Sequence, residues 1–339
     1  MSKSSVKGVT LQGVVCAVPR KQLDNQSFLD RFDEKTIADV AKLTGVLSRH
    51  VAELGQTAGD LCFAAAEKLL ADLQWGPESV DALIFVSQTP DQRMPATACI
   101  LHGRLGLSPQ CQAFDVGLGC SGYVYGTWLV AALMAAGLKR VLLLAGDTST
   151  QMLDPDDRGT AMLFGDAGSA TAFEYDEHAP LTYFDLGTDG AGAQLLTVPA
   201  GGYRLCGPVS PRDNTLHMDG SAVFGFTIST VPVLIKNCLE QANLTIDDIN
   251  TFALHQANKF ILQHIVKKLK IPVDALPINI EQFGNTSSAS IPLLFCTNAA
   301  EQMKSAPTTL LMAGFGVGLS WGAAVFKDVR LQCASVIEV

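Results

Sequence analysis

The chain of 339 residues is 48% hydrophobic and 17% charged, contains 30 glycines and carries a formal charge of −9. Its length allows one large or two ordinary domains with real cores, and its composition is typical of a compact α/β protein. The negative charge without a basic run argues against a nucleic-acid partner, and nine scattered cysteines without a C-x-x-C pair argue against a disulfide framework or a metal site.

The beginning of the chain and its apolar runs give no indication of a membrane. Residues 6–18 alternate in character and contain no signal-like apolar core. The longest apolar run, 128–138, is followed by Lys139-Arg140 and is too short to span a bilayer. We therefore expect a soluble, cytoplasmic protein with no membrane partner.

Predicted strands and helices alternate through the first half of the chain. The patterns predict a strand over 6–18, a helix over 24–42 with Asp24-Asn25 as its cap region, a turn at 44–46, and a helix capped by Thr57 that runs to Leu73. They then predict a strand over 80–86, a helix over 95–105, a strand over 141–144 and another that begins near 165–170. Several strands are continuously apolar, which indicates a parallel-rich sheet covered on both faces.

The stretch from Ala113 to Gly137 contains the candidate nucleophile. A short apolar run ends at the glycine-rich turn 117–122, and an apolar segment of helical length follows. Cys120 therefore lies at or next to the first turn of a helix, where unpaired backbone N–H groups favour negative charge. This position predicts a lowered thiol pKa and a more nucleophilic sulfur, although a buried structural cysteine is the commoner fate of this residue type.

The same turn partly matches two other motifs. Gly117, Gly119 and Gly122 have the spacing of a dinucleotide-binding turn, and Asp147 follows at a plausible distance for a ribose contact. That fingerprint normally opens its domain, whereas here more than a hundred residues precede it. A nucleophile elbow needs glycine two positions on either side of the nucleophile, and only Gly122 fits, because position 118 is leucine.

The second half of the chain repeats the order of the first. A helix predicted over 221–242 and a strand over 249–254 echo the helix and strand over 57–73 and 80–86. The 283–286 turn echoes the Cys120 turn at an offset of 285 − 120 = 165 residues, and 310–314 echoes 142–146 at an offset of 313 − 145 = 168. In the same order, 318–326 echoes 165–173. A near-constant offset indicates a duplicated unit with two pseudo-symmetric halves that face each other, joined by a linker within 175–185.

The repeat predicts that three reactive side chains converge. Cys120 and Asn285 would occupy equivalent turns, and His255 would follow a strand end, which is where open α/β sheets bind ligands. Each residue alone also has a structural interpretation, since a histidine can cap a helix and an asparagine can fill a turn. Their repeat-equivalent positions favour a site at the join between the halves.

Taken together, these motifs resemble those of the thiolase superfamily and, within it, the 3-oxoacyl-(acyl carrier protein) synthase III family. The resemblance covers nearly the whole chain and rests on 119–122 (GCSG), 163–168 (LFGDAG), 255–258 (HQAN), 283–287 (FGNTS) and 314–318 (GFGVG). It implies a thiolase-like α/β fold with buried mixed sheets and helices in α-β-α-β-α layers. The half 1–178 would carry the nucleophile, and the half 179–339 would carry the histidine and the asparagine.

The resemblance also implies an activity. Cys120 would take up an acyl group from a thioester, and His255 with Asn285 would stabilise the carbanion formed when a malonyl thioester loses carbon dioxide. The expected reaction is the decarboxylative Claisen condensation of an acyl primer with a malonyl thioester, expected to be malonyl-acyl carrier protein, to give a 3-oxoacyl product. The backbone N–H groups of Cys120 and Val317 would form the oxyanion hole for acyl transfer.

Substrates and partners follow from the same resemblance. Met94, Arg158, Asn258 and Phe315 match substrate-binding positions, and the residue that matches Met94 closes the acyl pocket of the other subunit in a homodimer. The expected partners are an acyl-CoA or acyl-acyl carrier protein donor and malonyl-acyl carrier protein. Coenzyme A and phosphopantetheine thioesters serve as substrates, so we expect no cofactor and no metal.

Two departures from the family concern the acyl donor. Asp39 and Leu43 stand where members place a tryptophan and an arginine that sandwich the adenine of coenzyme A, although Arg158 matches a second adenine-stacking arginine. Phe260 stands where members carry a carrier-docking arginine, although neighbouring lysines keep that stretch basic. Coenzyme A and a carrier protein therefore both stay open as the source of the primer.

Two alternative functions also stay open. Some relatives transfer the acyl group from cysteine to a hydroxyl or amine acceptor and so make an ester or an amide. Others are non-catalytic partner subunits of a synthase pair, which usually lose the cysteine. The intact Cys120, His255 and Asn285 disfavour that second alternative.

Overall fold

The computed structural model of the protein describes residues 2–205 and 209–339, and Cys206 lies outside the described residues. The strands in chain order are β1 (Ser2–Val6), β2 (Val9–Val18), β3 (Gln22–Asp24), β4 (Ser48–His50), β5 (Ala82–Val86), β6 (Gln112–Val116), β7 (Arg140–Asp147), β8 (Ala167–Tyr175), β9 (Thr182–Thr188), β10 (Leu196–Thr197), β11 (His217–Met218), β12 (Thr251–Leu254), β13 (Thr308–Gly316), β14 (Ser320–Val329) and β15 (Cys333–Glu338). The α-helices are α1 (Glu34–Thr44), α2 (Ala58–Leu73), α3 (Thr97–Arg104), α4 (Gly122–Ala135), α5 (Gly220–Ala242), α6 (Lys259–Leu269), α7 (Ile280–Phe283), α8 (Ser290–Cys296) and α9 (Ala300–Ser305).

Two large sheets repeat one strand order. The first runs β15-β2-β8-β7-β5-β6 and the second runs β1-β9-β14-β13-β12. In the first sheet β8 pairs antiparallel with β2 and β7, and β14 pairs in the same way with β9 and β13 in the second. The duplication predicted from the near-constant offset is therefore confirmed. The expected richness in parallel pairs holds for the first sheet only, because in the second the hairpin β13–β14 and the strands β9 and β1 all pair antiparallel.

Each sheet is completed by a strand from the far end of the chain. β15 pairs parallel with β2, with Cys333 opposite Gly13, although it follows all strands of the second sheet in sequence. β1 pairs antiparallel with β9 in the second sheet, although it precedes all strands of the first. The division of the chain at residue 178 stays a prediction, and the sheets exchange their terminal strands across it.

The helices and sheets form the five layers that the resemblance implied. α2 and α3 cover the outer face of the first sheet in one apolar cluster, and α5 and α6 cover the outer face of the second sheet in another. Between the two sheets lie α4 and α8, whose apolar side chains pack against both sheets in the largest cluster. Burial on both faces explains why so many strands are continuously apolar.

The strand predicted over 6–18 is wrong at its start. Backbone pairing stops after Val6 and resumes at Val9, so that β1 and β2 belong to different sheets. Gly8 has a φ of 89°, a left-handed conformation that interrupts an extended chain and that glycine adopts without steric cost. The interruption lets the chain leave one sheet and enter the other.

The helix predicted over 24–42 is also wrong at its start. Asp24 caps a short 3-10 helix over Asn25–Phe28, and α1 begins only at Glu34. Asp33 is the cap of α1, and its carboxylate accepts a hydrogen bond from the Thr36 N–H at 2.7 Å. Two capping aspartates compete in this segment, and the second one sets the helix.

Two other predicted helices are confirmed. Thr57 caps α2 in a reciprocal capping box with Asp60, and α2 ends at Leu73 as predicted. α5 begins one residue earlier than predicted and, among the described residues, is the one helix long and apolar enough to cross a membrane by length and composition. Its buried side chains, which include Val231 and Ile235, belong to the core beneath the second sheet, and core helices of globular proteins satisfy the same criterion.

Candidate active site

The nucleophile turn connects β6 to α4. Cys120 lies two residues before the helix begins and is 7% exposed. Glycines on both sides of it permit close packing: a Cβ at Gly122 would lie 2.5 Å from Val86 Cγ1, and a Cβ at Gly119 would overlap the Gln88 side chain. These close approaches account for the glycines at positions 119 and 122.

The hairpin turn between β13 and β14 covers the sulfur from the other half of the chain. A Cβ at Gly316 would lie 2.9 Å from Cys120 Sγ, so only glycine leaves space there. The turn is held in place because Ser320 donates to the Val317 carbonyl at 2.7 Å, and the Ser320 and Ser121 hydroxyl oxygens are 2.6 Å apart. The Val317 N–H is thereby directed at the thiol.

The expected lowering of the Cys120 pKa is wrong for this structure. Burial raises the pKa of the Cys120 thiol to about 11, although hydrogen bonds from the Val317 backbone, the Ser287 hydroxyl and its own backbone act in the opposite direction. The helix terminus lies where the sequence predicts it, but the 314–318 turn and the 285–290 segment remove the sulfur from water. Desolvation is the larger of the two effects.

His255 directly follows β12 and is 1% exposed. Its backbone N–H donates to the Ala313 carbonyl at 2.8 Å. Its ring Nδ1 lies 2.7 Å from Ser290 Oγ, and the imidazole packs edge-on against the Phe315 ring, with the two ring centroids 5.5 Å apart. Burial lowers the pKa of His255 to about 3, and a backbone hydrogen bond at Ser287 opposes this shift. The imidazole is therefore neutral at physiological pH.

Asn285 lies in the turn between α7 and the segment that leads to α8. Its N–H donates to the Leu163 carbonyl at 2.9 Å, and its carbonyl accepts from Gly165 N–H at 3.1 Å, which links the 163–168 motif to the 283–287 motif. The side-chain Oδ1 accepts from Ser287 N–H at 3.0 Å, while Nδ2 has only a long contact of 3.5 Å to the Ala257 carbonyl. The carboxamide is thus oriented through its oxygen, and its NH₂ group keeps donor capacity.

Two cavities meet at Cys120. The smaller one, about 60 Å³, is lined by residues that include Cys120, His255, Asn285, Asn258 and Phe315. The larger one, about 690 Å³, extends from Cys120 between the loops after β5 and β7, the segment 193–202 and the Val317 turn. The three side chains that the repeat analysis predicted to converge do lie around one cavity.

The four residues expected to bind substrate fall into two pairs. Phe315 is buried beside His255, and Asn258 lines the small cavity while its Oδ1 caps α6 by accepting from Ile261 N–H at 2.7 Å. Arg158 and Met94 are instead exposed on the surface, Met94 to 73%. Their contact with substrate stays a prediction.

Asp147 does not fit a ribose contact. It is 1% exposed, and its carboxylate accepts hydrogen bonds from Gln88 N–H at 2.8 Å and from the Ser288 hydroxyl at 2.6 Å, among others. It ties the loop after β5 to the 285–290 segment. The dinucleotide interpretation of the glycine turn is therefore wrong.

Sequence reasoning missed the serines that surround the site. Ser287 contacts the Cys120 thiol, Ser288 binds Asp147, and Ser290 orients His255. The signal was the serine-rich run 287–290 directly after Asn285. Only the folded chain shows that each of these serines faces a different partner.

A layered fold of two similar halves, with cysteine, histidine and asparagine around a buried cavity at their join, defines the class of thiolase-fold enzymes. The family model for 3-oxoacyl-[acyl-carrier-protein] synthase III matches residues 114–197. The model for the C-terminal part of the same family matches residues 239–328. The chain belongs to this 3-oxoacyl-[acyl-carrier-protein] synthase III family.

Individual relatives agree with this assignment over almost their full lengths. The chain is 36% identical over 329 residues to the beta-ketoacyl-[acyl-carrier-protein] synthase III of Desulfitobacterium hafniense (strain Y51), covering 94% of this chain and 97% of that protein. A 3-oxoacyl-(acyl-carrier protein) synthase structure from Burkholderia xenovorans LB400 has 45% identity and a TM-score of 0.96, with 100% and 99% coverage. The synthase III structure from Pseudomonas aeruginosa PAO1 has 33% identity and a TM-score of 0.85, with 96% and 99% coverage.

Proposed function

We propose that this protein catalyses the decarboxylative condensation of an acyl primer, held as a thioester on Cys120, with a malonyl thioester to give a 3-oxoacyl thioester. The observation that carries the proposal is the arrangement of Cys120, His255 and Asn285 around one cavity at the join of the two halves. The names of the relatives, beta-ketoacyl-[acyl-carrier-protein] synthase III, support the same reaction.

In the first half-reaction, Cys120 loses its thiol proton and its sulfur attacks the thioester carbonyl of the primer. The oxygen of the tetrahedral intermediate receives hydrogen bonds from the backbone N–H groups of Cys120 and Val317, which already face the sulfur. The carrier leaves as a thiol with a proton, and the acyl group stays on Cys120. A cysteine suits this step because thiolates are strong nucleophiles and good leaving groups.

In the second half-reaction, a malonyl thioester occupies the small cavity and loses carbon dioxide. Negative charge then develops on its thioester oxygen, to which an N–H of neutral His255 and the Asn285 NH₂ group donate. The carbanion attacks the acyl-cysteine carbonyl, the carbon–sulfur bond breaks, and the 3-oxoacyl thioester leaves Cys120 free. The depressed pKa of His255 supports this role, because the ring donates a hydrogen bond without being charged.

We also propose the setting in which the reaction takes place. The primer arrives on coenzyme A or acyl carrier protein, the malonyl group arrives on acyl carrier protein, and the enzyme is a cytoplasmic homodimer of chains with thiolase-like halves 1–178 and 179–339. Arg158 is exposed to solvent, and Asn258 and Phe315 line the small cavity. The exposed apolar side chain of Met94, at 73%, supports a subunit interface.

Labelled malonyl-acyl carrier protein tests the reaction. With ¹⁴C in the free carboxyl group and an acyl primer present, the protein should release labelled carbon dioxide and form a 3-oxoacyl thioester. Release of an ester or amide from a hydroxyl or amine acceptor, without labelled carbon dioxide, would instead establish the alternative acyltransferase.

Cys120→Ala is the matched control for this assay. The variant should fold with an unchanged circular dichroism spectrum, because alanine fits the turn, but intact-protein mass spectrometry should show no acyl adduct. A covalent acyl group on the alanine variant would remove Cys120 from the mechanism.

A further inference from the structure

The larger cavity contains two polar side chains that make no hydrogen bond to another described residue. Gln88 follows β5 and Ser149 follows β7, which are neighbouring parallel strands, so both residues stand at the sheet edge where α/β proteins bind ligands. Ser149 is only 2% exposed, and yet neither its hydroxyl nor the Gln88 carboxamide has a partner in the described chain. The hydroxyl of the buried Ser149 is therefore available to the contents of the cavity, and the carboxamide of the exposed Gln88 stands at the cavity wall.

The backbones that carry these side chains are held together. The Gln88 N–H donates to Asp147 Oδ1 at 2.8 Å, and the Thr148 N–H donates to Thr89 Oγ1 at 2.9 Å. These bonds fix the two loops against each other and use none of the polar atoms of the Gln88 and Ser149 side chains. Polar groups on a fixed backbone at the wall of a cavity are typical of a pre-organised binding site.

The position of Gln88 relates the two side chains to the reacting end of the primer. Its Oε1 rests against Gly119, where a Cβ would overlap it, so the carboxamide stands beside the residue that precedes Cys120. Farther along, the cavity wall is largely apolar, with side chains that include Met152, Leu196, Val198 and Leu216. The Gln88 carboxamide therefore lies at the end of the cavity where the acyl chain is attached, with Ser149 on the loop after the neighbouring strand, and apolar side chains line much of the remaining wall.

We propose that Gln88 and Ser149 determine primer specificity by selecting acyl chains that carry a hydroxyl group near the thioester carbonyl, followed by an apolar tail. This inference rests on the proposed function, because it requires a primer attached to Cys120. A carboxamide and a hydroxyl each donate and accept hydrogen bonds, as a substrate hydroxyl does. A plain alkyl chain would displace water from both groups and leave them unpaired, and sites built for hydrogen bonding discriminate against such analogues.

Competition between two matched donors tests the proposal. Equal amounts of octanoyl and 3-hydroxyoctanoyl thioesters are offered to the wild-type protein, and the two acyl-Cys120 products are counted by intact-protein mass spectrometry. Two hydrogen bonds of ordinary net strength should give a preference of roughly tenfold for the hydroxyl-bearing primer. Gln88→Met keeps the length of the side chain and removes its polar atoms, and Ser149→Ala removes the hydroxyl; each variant should reduce the preference.

Gln110→Met is the control. Gln110 is an exposed glutamine in the turn before β6 and lines neither cavity, so its loss should leave the preference between the two donors unchanged. Equal or faster loading of the octanoyl donor by the wild-type protein would overturn the inference while leaving the proposed function intact. An undiminished preference in both Gln88→Met and Ser149→Ala would do the same. Loading of neither donor, nor of acetyl, would overturn the proposed function and the inference with it.

Discussion

At the scale of single residues, Cys120 stands in two opposing environments. The Val317 N–H and the Ser287 hydroxyl favour the thiolate, but burial prevails and raises its pKa to about 11. The thiol form of Cys120 therefore predominates at neutral pH.

His255 and Asn285 should be separable from the acylation step. In His255→Ala and Asn285→Ala, Cys120 should still become acylated, since the backbone donors of Cys120 and Val317 remain. Decarboxylation of the malonyl thioester should fall by about a hundredfold in each variant, because one oxyanion donor contributes on the order of 3 kcal/mol. Carbon dioxide release is measured beside acyl-enzyme formation, and normal release by both variants would show that these residues have another role.

The buried imidazole also predicts how stability depends on pH. The pKa of His255 is about 3 in the folded chain and about 6.5 when unfolded, so between these values the unfolded state binds the additional proton. The contribution is fully present above pH 6.5 and is lost as pH falls toward 3, at up to about 1.4 kcal/mol per pH unit. Denaturant unfolding at pH 7 and pH 4 should show a smaller decrease for His255→Asn than for the wild type. Equal decreases in the two proteins would contradict the buried, neutral histidine.

At the scale of elements, a local capping interaction stabilises the first turn of helix α2. Thr57 and Asp60 cap each other's backbone N–H groups, so Thr57→Ala should lower the free energy of unfolding by about 1 kcal/mol. Urea denaturation measures this change. Thr245→Ala is a useful comparison, because the Thr245 N–H and hydroxyl donate to the Asp248 carboxylate at a three-residue 3-10 helix, where the loss of the hydroxyl should matter less. An equal loss in both variants would mean that the cap does not act through α2.

Elements that depend on neighbouring residues were predictable, and those that depend on distant segments were not. The start of α2 follows from Thr57 and Asp60 alone, and the strand–turn–helix around Cys120 follows from its own apolar pattern. The predicted start of α1 is an exception: its cap, Asp33, is also local, but Asp24 offers the same capping side chain, and the sequence does not decide between the two.

The candidate site shows the same division. Cys120, His255 and Asn285 lie in motifs that the sequence displays, and the internal repeat by itself indicates that they converge. The prediction of a lowered Cys120 pKa failed because the segments around Gly316 and Ser287, which desolvate the sulfur, contact it only in the folded chain. Gln88 and Ser149 escaped notice because nothing in the sequence shows that β5 and β7 are neighbours.

At the scale of the whole molecule, Met94 links assembly to specificity. It is exposed to 73% in the single chain and stands beside the mouth of the large cavity, which Gln92 and Arg93 line. If a second subunit uses its Met94 to close this cavity, the protein is a homodimer whose flexible methionine tolerates long or branched primers. Met94→Trp should then discriminate against hexanoyl and octanoyl donors while sparing acetyl, since each excluded methylene changes selectivity by about 1–3 kcal/mol.

Two measurements check this expectation. Donor profiles of wild type and Met94→Trp are compared after the mass of each protein in solution has been determined. A stable monomer, or a chain-length profile that the substitution leaves unchanged, would remove Met94 from the acyl pocket.

The exchange of terminal strands has a consequence for biosynthesis. Since β15 lies beside β2, the first sheet keeps an open edge on a nascent chain until β15 has been translated, after every strand of the second sheet. During that interval β2 exposes unpaired N–H and C=O groups, which is the condition under which strands of neighbouring nascent chains associate. The β2 edge therefore stays open to such association until the second sheet has been completed.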